Sequence, residues 1–417
     1  MLYFVDRGQQ RGITYEALKK FETEINKKFK KKIIKVHVIF IPVSRDALIP
    51  ALVEGRGDIA AANLTTTPGR LEKVDFSDPF LSDVKEIVVT GPGDPSIENI
   101  DDLAGKEIYV RTSSSYYESL QRLNKSFKRA GKRPVKIVAA DEYLESEDIL
   151  EMVNAGLIKM TIIDSHIGKF WEKIFENITL HPDIAINSGG QIAWAFRKNS
   201  PELKKVVNDF VRKNKKGTFF GNMMLNRYLK STKWVKNSTA ENELKKFRMM
   251  IDLFEKYAGK YDFDWLLVAA QAYQESGLDQ SKKSHAGAIG VMQLLPSTAR
   301  DPNVSIKDIE KLENNIHAGV KYLRFIRDRY FENEDMDNLN KTLFSFASYN
   351  AGPARIAQLR KQAAQKGLDP NEWFDNVELI AAREIGRETV QYVSNIYKYY
   401  IAYSQVMKQL EKKKQAA

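Results

Sequence analysis

The spacing of apolar positions changes near the middle of the chain. Up to about residue 228, short strand-like apolar runs alternate with segments that have the 3.6-residue period of helices. The predicted strands are 34–41, 58–63, 86–90, 106–110, 135–139, 160–163 and 191–196, and the predicted helices include 14–26, 45–54, 115–129 and 201–213. This alternation is typical of α/β proteins with parallel sheets.

The second half of the chain has a different pattern. The polar, irregular stretch 228–244 indicates a linker, and beyond it nearly every periodic segment has the helical period. A chain of 417 residues is also longer than one ordinary hydrophobic core supports. We therefore predict an α/β domain followed by an all-α domain.

The composition favours a folded protein without thiol chemistry. Apolar residues make up 43% of the chain and aromatic residues 11%, and there is no cysteine. No run approaches about 18 consecutive apolar residues, so we predict no membrane-spanning helix in this sequence. The histidines are scattered along the chain, so we expect neither a metal site nor a cofactor.

The net charge of +11 favours anionic partners such as nucleic acid, anionic lipid or an acidic wall polymer. The basic runs at 26–32, 212–217 and 411–415 lie at or beside helical segments, and we interpret them as solvated helix faces. No recognition motif accompanies them, so nucleic-acid binding is not expected.

The strongest motif of the first half lies between residues 53 and 83. Thr67 and Arg70 form a T-x-x-R pattern, and F-S-x-P follows at 76–79. An arginine fork can hold a carboxylate through two hydrogen bonds, and a threonine hydroxyl adds a neutral donor. The segment from Tyr3 to Tyr228 resembles family 3 of the bacterial solute-binding proteins. The resemblance implies a two-lobed, periplasmic-binding-protein-like α/β domain over 1–230, with lobe 1 at about 1–88 and 192–230 and lobe 2 at about 89–191.

Two further residues fit such a clamp. Ser113 lies in a hydroxyl-rich turn before a helix, whose N-terminus offers backbone donors to an anion. Asp164 ends an apolar strand, where ligands bind in open α/β sheets. In the family's amino-acid binders this aspartate pairs with the α-ammonium group. The resemblance therefore implies a regulatory site for an amino acid or short wall peptide, formed by Thr67, Arg70, Ser113 and Asp164.

Structural roles stay open for three of these residues. Arg70 could pair with Glu72 or Asp75 on the surface. Ser113 could cap the helix that follows it, and Asp164 could simply end its strand.

One carboxyl group marks the second half. The helix predicted within 261–279 begins with Asp262 as its N-cap and ends at Gly277, and its middle is apolar on all sides. Glu275 lies in its last turn. Burial and the negative end of the helix dipole both disfavour a charged carboxylate there, which suits a general acid near neutral pH. On this helix alone, a structural glutamate paired with an arginine remains the alternative.

Three later motifs follow Glu275 and Ser276 in order. They are G-V-M-Q at 290–293, S-Y-N at 348–350 and E-T-x-x-Y-V at 388–393. Together they resemble the lysozyme-like catalytic domain of family 1 lytic transglycosylases, which shows E-S, G-L-M-Q, A-Y-N and E-T-x-x-Y-V. The combination with a clamp resembles membrane-bound lytic transglycosylases, and it covers nearly the whole chain.

This second resemblance implies a mechanism with one catalytic residue, Glu275. It would cleave the β-1,4 bond between N-acetylmuramic acid and N-acetylglucosamine in peptidoglycan glycan strands, with the C6 hydroxyl closing a 1,6-anhydro ring. A second carboxylate, usual in glycosidases, is then not needed, and we interpret Asp279 as a solvated turn residue. The implied substrate-binding residues are Ser276, Met292, Gln293, Tyr349, Asn350 and Tyr392. For Met292 and Tyr392, plain core packing is the alternative.

The sequence therefore predicts a peptidoglycan lyase of the periplasm with a ligand-sensing clamp. The predicted domains are 1–230 and a lysozyme-like domain at 244–417, joined by a linker at 231–243. The start of the sequence indicates that a leader and a first strand precede it in the natural protein, and we expect outer-membrane association through such a segment. Two alternatives stay open: a lysozyme-type hydrolase that uses water, and a non-catalytic amino-acid or peptide receptor that docks on the wall.

Overall fold

The computed structural model describes residues 4–6, 9–31, 33–41, 43–93, 97–230, 241–332 and 334–416. The chain divides into two compact units, Met1–Val235 and Lys236–Ala417. Residues 231–240 of the predicted linker lie outside the described residues, and helix begins again at Glu241. No helix within the described ranges is long and apolar enough to cross a membrane.

The first unit combines strands and helices. Its strands are β1 (Phe4–Asp6), β2 (Gln9–Arg11), β3 (Ile59–Thr65), β4 (Val74–Phe76), β5 (Leu81–Thr90), β6 (Glu107–Arg111), β7 (Lys136–Ala140), β8 (Met160–Asp164) and β9 (Thr179–Arg197). Its helices are α1 (Ile13–Lys28), α2 (Leu48–Val53), α3 (Pro68–Leu71), α4 (Ser115–Arg129), α5 (Ser146–Asn154), α6 (Ser165–Trp171), α7 (Pro201–Asn214) and α8 (Phe219–Lys230), with a short 3₁₀ turn at Ile100–Leu103.

Strands β3 to β9 form one mixed sheet. The strand order is β3-β9-β5-β8-β6-β7, and β4 also pairs with β9. Only the pairs of β6 with β7 and with β8 are parallel, whereas β9 pairs antiparallel with β3, β4 and β5. The prediction of parallel sheets is therefore wrong for most pairs. Periodicity reports which residues are buried, and it does not report the direction of the neighbouring strand.

The long strands β5 and β9 run through both lobes of this unit. Leu81 pairs with Ile192 at one end of β5, and Thr90 pairs with Thr179 at the other. The register shifts between these ends, from Leu81 to Val88. Separate hydrophobic cores lie on the two sides: one around Trp194 and α7, the other around Leu120 and β6. These features give the two-lobed α/β architecture.

The predicted strand at 34–41 is not formed. These residues have irregular backbone, and Ile34 is 83% exposed. The amide and carbonyl groups of Val36 instead bond to the side chain of Asn26, each at 2.8 Å. A strand needs a neighbouring backbone to satisfy its polar groups, and here side chains of α1 bond to part of the stretch instead: Asn26 to Val36, and Glu22 to the amide of Val38.

The second unit is helical, apart from isolated bridges among Lys283, Ile289 and Leu294 in its described part. Its helices are α9 (Glu241–Lys260), α10 (Trp265–Ser276), α11 (Pro296–Arg300), α12 (Leu312–Tyr330), α13 (Asn338–Ala351), α14 (Pro353–Gln365), α15 (Glu378–Glu384) and α16 (Glu388–Ala416), with a kinked turn at Trp373–Val377.

Helix α10 lies at the centre of this unit, packed against α9 and α16. Its side chains from Leu267 to Tyr273 are all buried. The N-cap is Asp264, which accepts a hydrogen bond from Leu266 N at 2.8 Å, so the prediction of Asp262 is wrong. Asp262 has a φ of 58° and lies in the preceding turn. Gly277 ends the helix in the left-handed conformation, as predicted.

Candidate active site and ligand clamp

Glu275 lies in the last turn of α10, beside the fully buried part of the helix. Burial raises the pKa of its carboxyl group to about 7, although a hydrogen bond from Tyr392 and the charge of Lys282 both act to lower it. The group is therefore present in both protonation states near neutral pH. This is the condition for one residue to act first as an acid and then as a base.

Tyr392 connects α16 to the carboxyl group. Its hydroxyl donates to Oε1 of Glu275 at 2.5 Å and accepts a hydrogen bond from Nε2 of Gln271 at 3.1 Å. Burial and the nearby carboxylate raise the pKa of Tyr392 well above its ordinary value, so the phenol stays protonated. A phenol has one hydrogen, and the donation from Gln271 leaves that hydrogen for Glu275.

Lys282 fixes the end of α10 from the following loop. Its Nζ donates to the backbone carbonyl of Glu275 at 2.7 Å. Carbonyl groups in the last turn of a helix have no partner within the helix, and a cation there is favourable. The same loop is closed by hydrogen bonds from Nε2 of Gln293 to the carbonyls of Lys282 and Gly290, at 3.1 and 2.9 Å.

Ser276 is buried, and its hydroxyl is engaged with backbone groups. It lies within hydrogen-bond distance of the carbonyl oxygens of Ala272 and Val291, at 3.1 and 2.9 Å, and accepts from Asp279 N at 3.1 Å. Ser276 thereby ties the end of α10 to the G-V-M-Q loop. Asp279 is exposed and accepts from the hydroxyl of Ser281, as expected for a turn residue.

Met292 is fully enclosed and packs against α12. A Cβ atom at Gly319 would lie 2.6 Å from Cγ of Met292, so only glycine fits at that position. The backbone of Met292 is held on both sides: Asn315 Oδ1 accepts from its amide at 2.8 Å, and Tyr349 donates to its carbonyl at 2.7 Å. In this structure the side chain of Met292 packs against Gly319 of α12.

The S-Y-N segment ends α13 next to the carboxyl group. Burial and the charge of Glu275 raise the pKa of Tyr349 well above its ordinary value. Asn350 is exposed and accepts from the hydroxyl of Thr389 at the start of α16, at 2.7 Å. Tyr392 on α16 thus bonds to Glu275, Thr389 on the same helix bonds to Asn350, and Tyr349 holds the backbone of the G-V-M-Q loop.

Sequence reasoning missed three supporting residues: Gln271, Lys282 and Asn315. Gln271 is the polar residue in the apolar run from 265 to 272, one turn before Glu275, and this position was the available signal. Asn315 is fully buried and also donates to the carbonyls of Ile289 and Ile309 at 2.9 Å. No pattern in the sequence distinguishes Asn315 from other polar helix residues.

The clamp encloses a cavity of about 180 Å³ between the lobes of the first unit. Arg70 lines it and donates to the carbonyls of Thr65 and Ser113, both at 2.8 Å. These acceptors lie on opposite lobes. The described structure shows no hydrogen bond from Arg70 to Glu72 or Asp75, so the alternative of a surface pair is not observed.

Ser113 and Thr67 support the cavity in different ways. Ser113 lines it and donates to Glu142 Oε2 at 2.5 Å. The cap of α4 is the next residue, Ser114, so the capping alternative for Ser113 is wrong. Thr67 caps α3 and donates to Glu118 on the other lobe at 3.0 Å, but it does not line the cavity.

Asp164 lies at the end of β8, with almost no exposed surface. Its Oδ2 accepts from Asn63 on the other lobe at 3.0 Å, and its Oδ1 is enclosed without a partner among the described residues. Burial and the carboxyl group of Glu86, opposite it on β5, raise the pKa of Asp164 to about 7. Its side chain makes no capping hydrogen bond to the backbone of α6, so a capping role is not observed. No cluster of acids and histidines that could hold a metal occurs in the described part of the chain.

Two family models match the chain. The model described as bacterial extracellular solute-binding proteins, family 3, matches residues 2–224, and the transglycosylase SLT domain matches residues 252–372. A membrane-bound lytic murein transglycosylase F from Desulfosudis oleivorans is 32% identical over 377 residues, which cover 85% of this chain and 79% of that protein. The protein of the same name from Shewanella halifaxensis is 29% identical over 96% of this chain and 82% of its own length.

Solved structures of binding proteins resemble the first unit. An ancestral arginine-binding protein bound to arginine is 24% identical, covers 54% of this chain and 92% of its own, and has a TM-score of 0.44. A Salmonella typhimurium periplasmic binding protein with high arginine specificity is 23% identical, covers 55% of this chain and 93% of its own, and has a TM-score of 0.42.

Proposed function

The chain belongs to the membrane-bound lytic murein transglycosylase F family, and from that premise we propose that it cleaves peptidoglycan glycan strands as a lyase. The bond would be the β-1,4 linkage between N-acetylmuramic acid and N-acetylglucosamine. The observation that carries this proposal is Glu275, a single carboxyl group with a pKa of about 7 that is held by Tyr392.

Glu275 acts twice in the proposed reaction. Its acid form protonates the glycosidic oxygen as the bond from that oxygen to C1 breaks. The resulting carboxylate takes the proton from the C6 hydroxyl, whose oxygen bonds to C1 and closes the 1,6-anhydro ring. The proton count balances without water, and no second carboxylate is required.

Neighbouring groups complete the proposed substrate site. Gln293, Tyr349 and Asn350 offer hydrogen-bonding side chains to the saccharide, and Tyr392 holds Glu275. Ser276 and Met292 support the loop that carries Gln293, because they contact backbone groups and α12.

The first unit would serve as a regulatory clamp for an amino acid or short wall peptide. Arg70 would hold the α-carboxylate and Asp164 the α-ammonium group, with Thr67 and Ser113 supporting the site. A ligand can change activity only through different affinities for the open and closed clamp. The proposed setting is cell-wall turnover in the periplasm, with association at the outer membrane. The proposed boundaries remain a linker at 231–243 and a lysozyme-like domain at 244–417.

The test is product analysis after incubation of the full chain with purified peptidoglycan. Mass spectrometry should show muropeptides that end in the anhydro sugar, one water lighter than the products of hydrolysis. Hydrated products would identify a lysozyme-type hydrolase, and the absence of soluble products would favour a receptor. The matched control is the Glu275→Gln chain under the same conditions.

A further inference from the structure

Two guanidinium groups on the wall of the clamp cavity donate no hydrogen bond to a carboxylate of the described residues. Arg70 donates to two backbone carbonyls. Arg111, at the end of β6, is only 7% exposed and donates to the carbonyl of Leu144. Its Nε is enclosed and has no hydrogen-bond partner in the described structure.

The third arginine of the cavity is different. Arg45 donates from Nε to both oxygens of Glu145, at 3.2 and 3.1 Å, and forms a salt bridge with it across the lobes. The acid Glu147 also faces Arg45. Glu145 is therefore paired with Arg45, and Glu142 accepts hydrogen bonds from Thr112 and Ser113. The charges of both acids act on Arg111, but neither forms an ion pair with it in the described structure.

The remaining charged groups of the cavity do not pair with Arg111 either. Asp164 accepts a hydrogen bond from Asn63, and its Oδ1 is enclosed without a partner among the described residues. Lys216 is exposed, and its positive charge acts on His166, whose pKa is lowered to about 4 mainly by burial. Arg111 thus has acidic groups nearby, but in the described structure it forms no ion pair and no hydrogen bond with any of them.

A buried cation without a counter-ion is unfavourable, and buried charges in proteins are normally paired. A guanidinium fork matches a carboxylate in geometry as well as charge. We propose that the ligand of the clamp is an amino acid with a second carboxylate, which Arg111 binds while Arg70 holds the α-carboxylate and Asp164 the α-ammonium group. This inference rests on the proposed amino-acid-binding role of the clamp.

The size of the cavity is consistent with such a ligand. Its volume of about 180 Å³ lies below the roughly 300–1,000 Å³ of pockets for drug-sized molecules. A cavity of this volume suits a single amino acid better than a long peptide. A side chain with a positive charge would meet Arg45 and Arg111 and is expected to be excluded.

Calorimetry on the full chain tests the proposal with glutamate, glutamine, arginine and alanine, each as the free L- and D-forms. Glutamate and glutamine have nearly the same shape and differ in charge. We expect glutamate to bind at least about tenfold more tightly than glutamine, because one charge-assisted hydrogen-bonded pair contributes about this much affinity. The dipeptide alanyl-glutamate, measured in parallel, separates a free amino acid from a wall peptide as the source of the acidic group.

Substitution of Arg111 identifies the group that recognises the second carboxylate. Arg111→Met keeps an unbranched buried side chain without charge and should abolish the preference for glutamate over glutamine. Arg111→Lys keeps the charge and should retain part of the preference. Arg129→Gln, at an exposed position of α4, is the matched control and should bind like the unmodified chain.

The outcomes separate this inference from the function on which it rests. Equal or tighter binding of glutamine, arginine or alanine would overturn the dicarboxylate ligand, while amino-acid binding by the clamp would stand. Failure of every amino acid and of the dipeptide to bind would overturn the amino-acid role itself, and this inference with it. The comparison of glutamate with glutamine uses the unmodified chain, so it tests the dicarboxylate ligand even if Arg111→Met does not fold.

Discussion

Gln271 and Glu275 lie one turn apart on α10, and both bond to the same phenolic oxygen, that of Tyr392. The amide of Gln271 donates to this oxygen, so the hydroxyl hydrogen points to Oε1 of Glu275. In the described structure Oε2 accepts no hydrogen bond. The proton of the acid form therefore belongs on Oε2, and we expect this oxygen to be the one that protonates the substrate.

Replacing the carboxyl group should stop the reaction. Glu275→Gln keeps the volume of the side chain but cannot deliver a proton. General acid catalysis accounts for roughly 10²–10⁴-fold in rate, and here the same group also acts as base, so we expect at least this loss in release of soluble muropeptides. Circular dichroism should show an unchanged helical fold. Retention of more than about a tenth of the activity would place the acid elsewhere.

The pH dependence of cleavage should follow Glu275. With a pKa of about 7, its protonated fraction falls as the pH rises through neutrality, so kcat/KM should decline there. The hydrogen bond from Tyr392 lowers this pKa, so Tyr392→Phe should move the decline to higher pH and also reduce the rate. Tyr400→Phe is the control, because its hydroxyl lies beside Asp264 at the other end of α10. An unmoved decline in Tyr392→Phe would contradict the assignment.

Gln271 should favour activity at the expense of stability. Its side chain is fully buried, and its Oε1 has no hydrogen-bond partner among the described residues. Gln271→Leu removes this unsatisfied group, so we expect a gain in unfolding free energy of about 1 kcal/mol, together with a lower kcat. Gln274, on the same helix, accepts a hydrogen bond from Asn395 instead, so Gln274→Leu is the control variant. An unchanged kcat in Gln271→Leu would show that the amide does not position Tyr392.

The second unit should lose stability as the pH rises, because Glu378 at the start of α15 is buried. Burial raises its pKa from 4.5 to about 8. The unfolded chain releases this proton first, so the stabilising contribution is complete at low pH and is lost between these two values. Glu378→Gln should make the unfolding free energy less dependent on pH over that interval, measured by urea titration. Exposed Glu384→Gln should leave the dependence unchanged.

The second unit should fold without the first. Residues 236–417 form one compact unit, and α10 packs against α9 and α16 of that same unit. We expect a fragment that begins at Lys236 to be helical, to unfold cooperatively and to cleave peptidoglycan. Insoluble or inactive fragments at every boundary between 231 and 243 would show that the clamp is part of the catalytic fold.

The sequence predicted the positions of helices and strands better than it predicted which strands pair and in which direction. Apolar periodicity located α4 and β8 closely, and the motifs named Glu275 and Tyr392, which the structure joins directly. The direction of β9 depends on strands about a hundred residues away, and periodicity carries no such information. Local caps were missed by one or two residues, at Ser114 and Asp264, because several hydroxyl or carboxyl groups compete at each helix start.

Roles that depend on packing could not be predicted. Gln271 lies outside every motif, and its function arises only where α16 crosses α10. The catalytic and binding roles of the named residues therefore remain predictions, although the structure supplies the contacts on which each can be tested.

The position of β9 also governs how the first unit can assemble during synthesis. β9 is the last strand in the sequence, yet it lies between β3 and β5 in the sheet. Until residue 197 has left the ribosome, β3 and β4 lack their common partner, and their apolar side chains stay uncovered. Pairings this distant in sequence form slowly and expose unpaired strands meanwhile. A nascent chain of this protein should therefore depend on chaperones until about half of it has been translated.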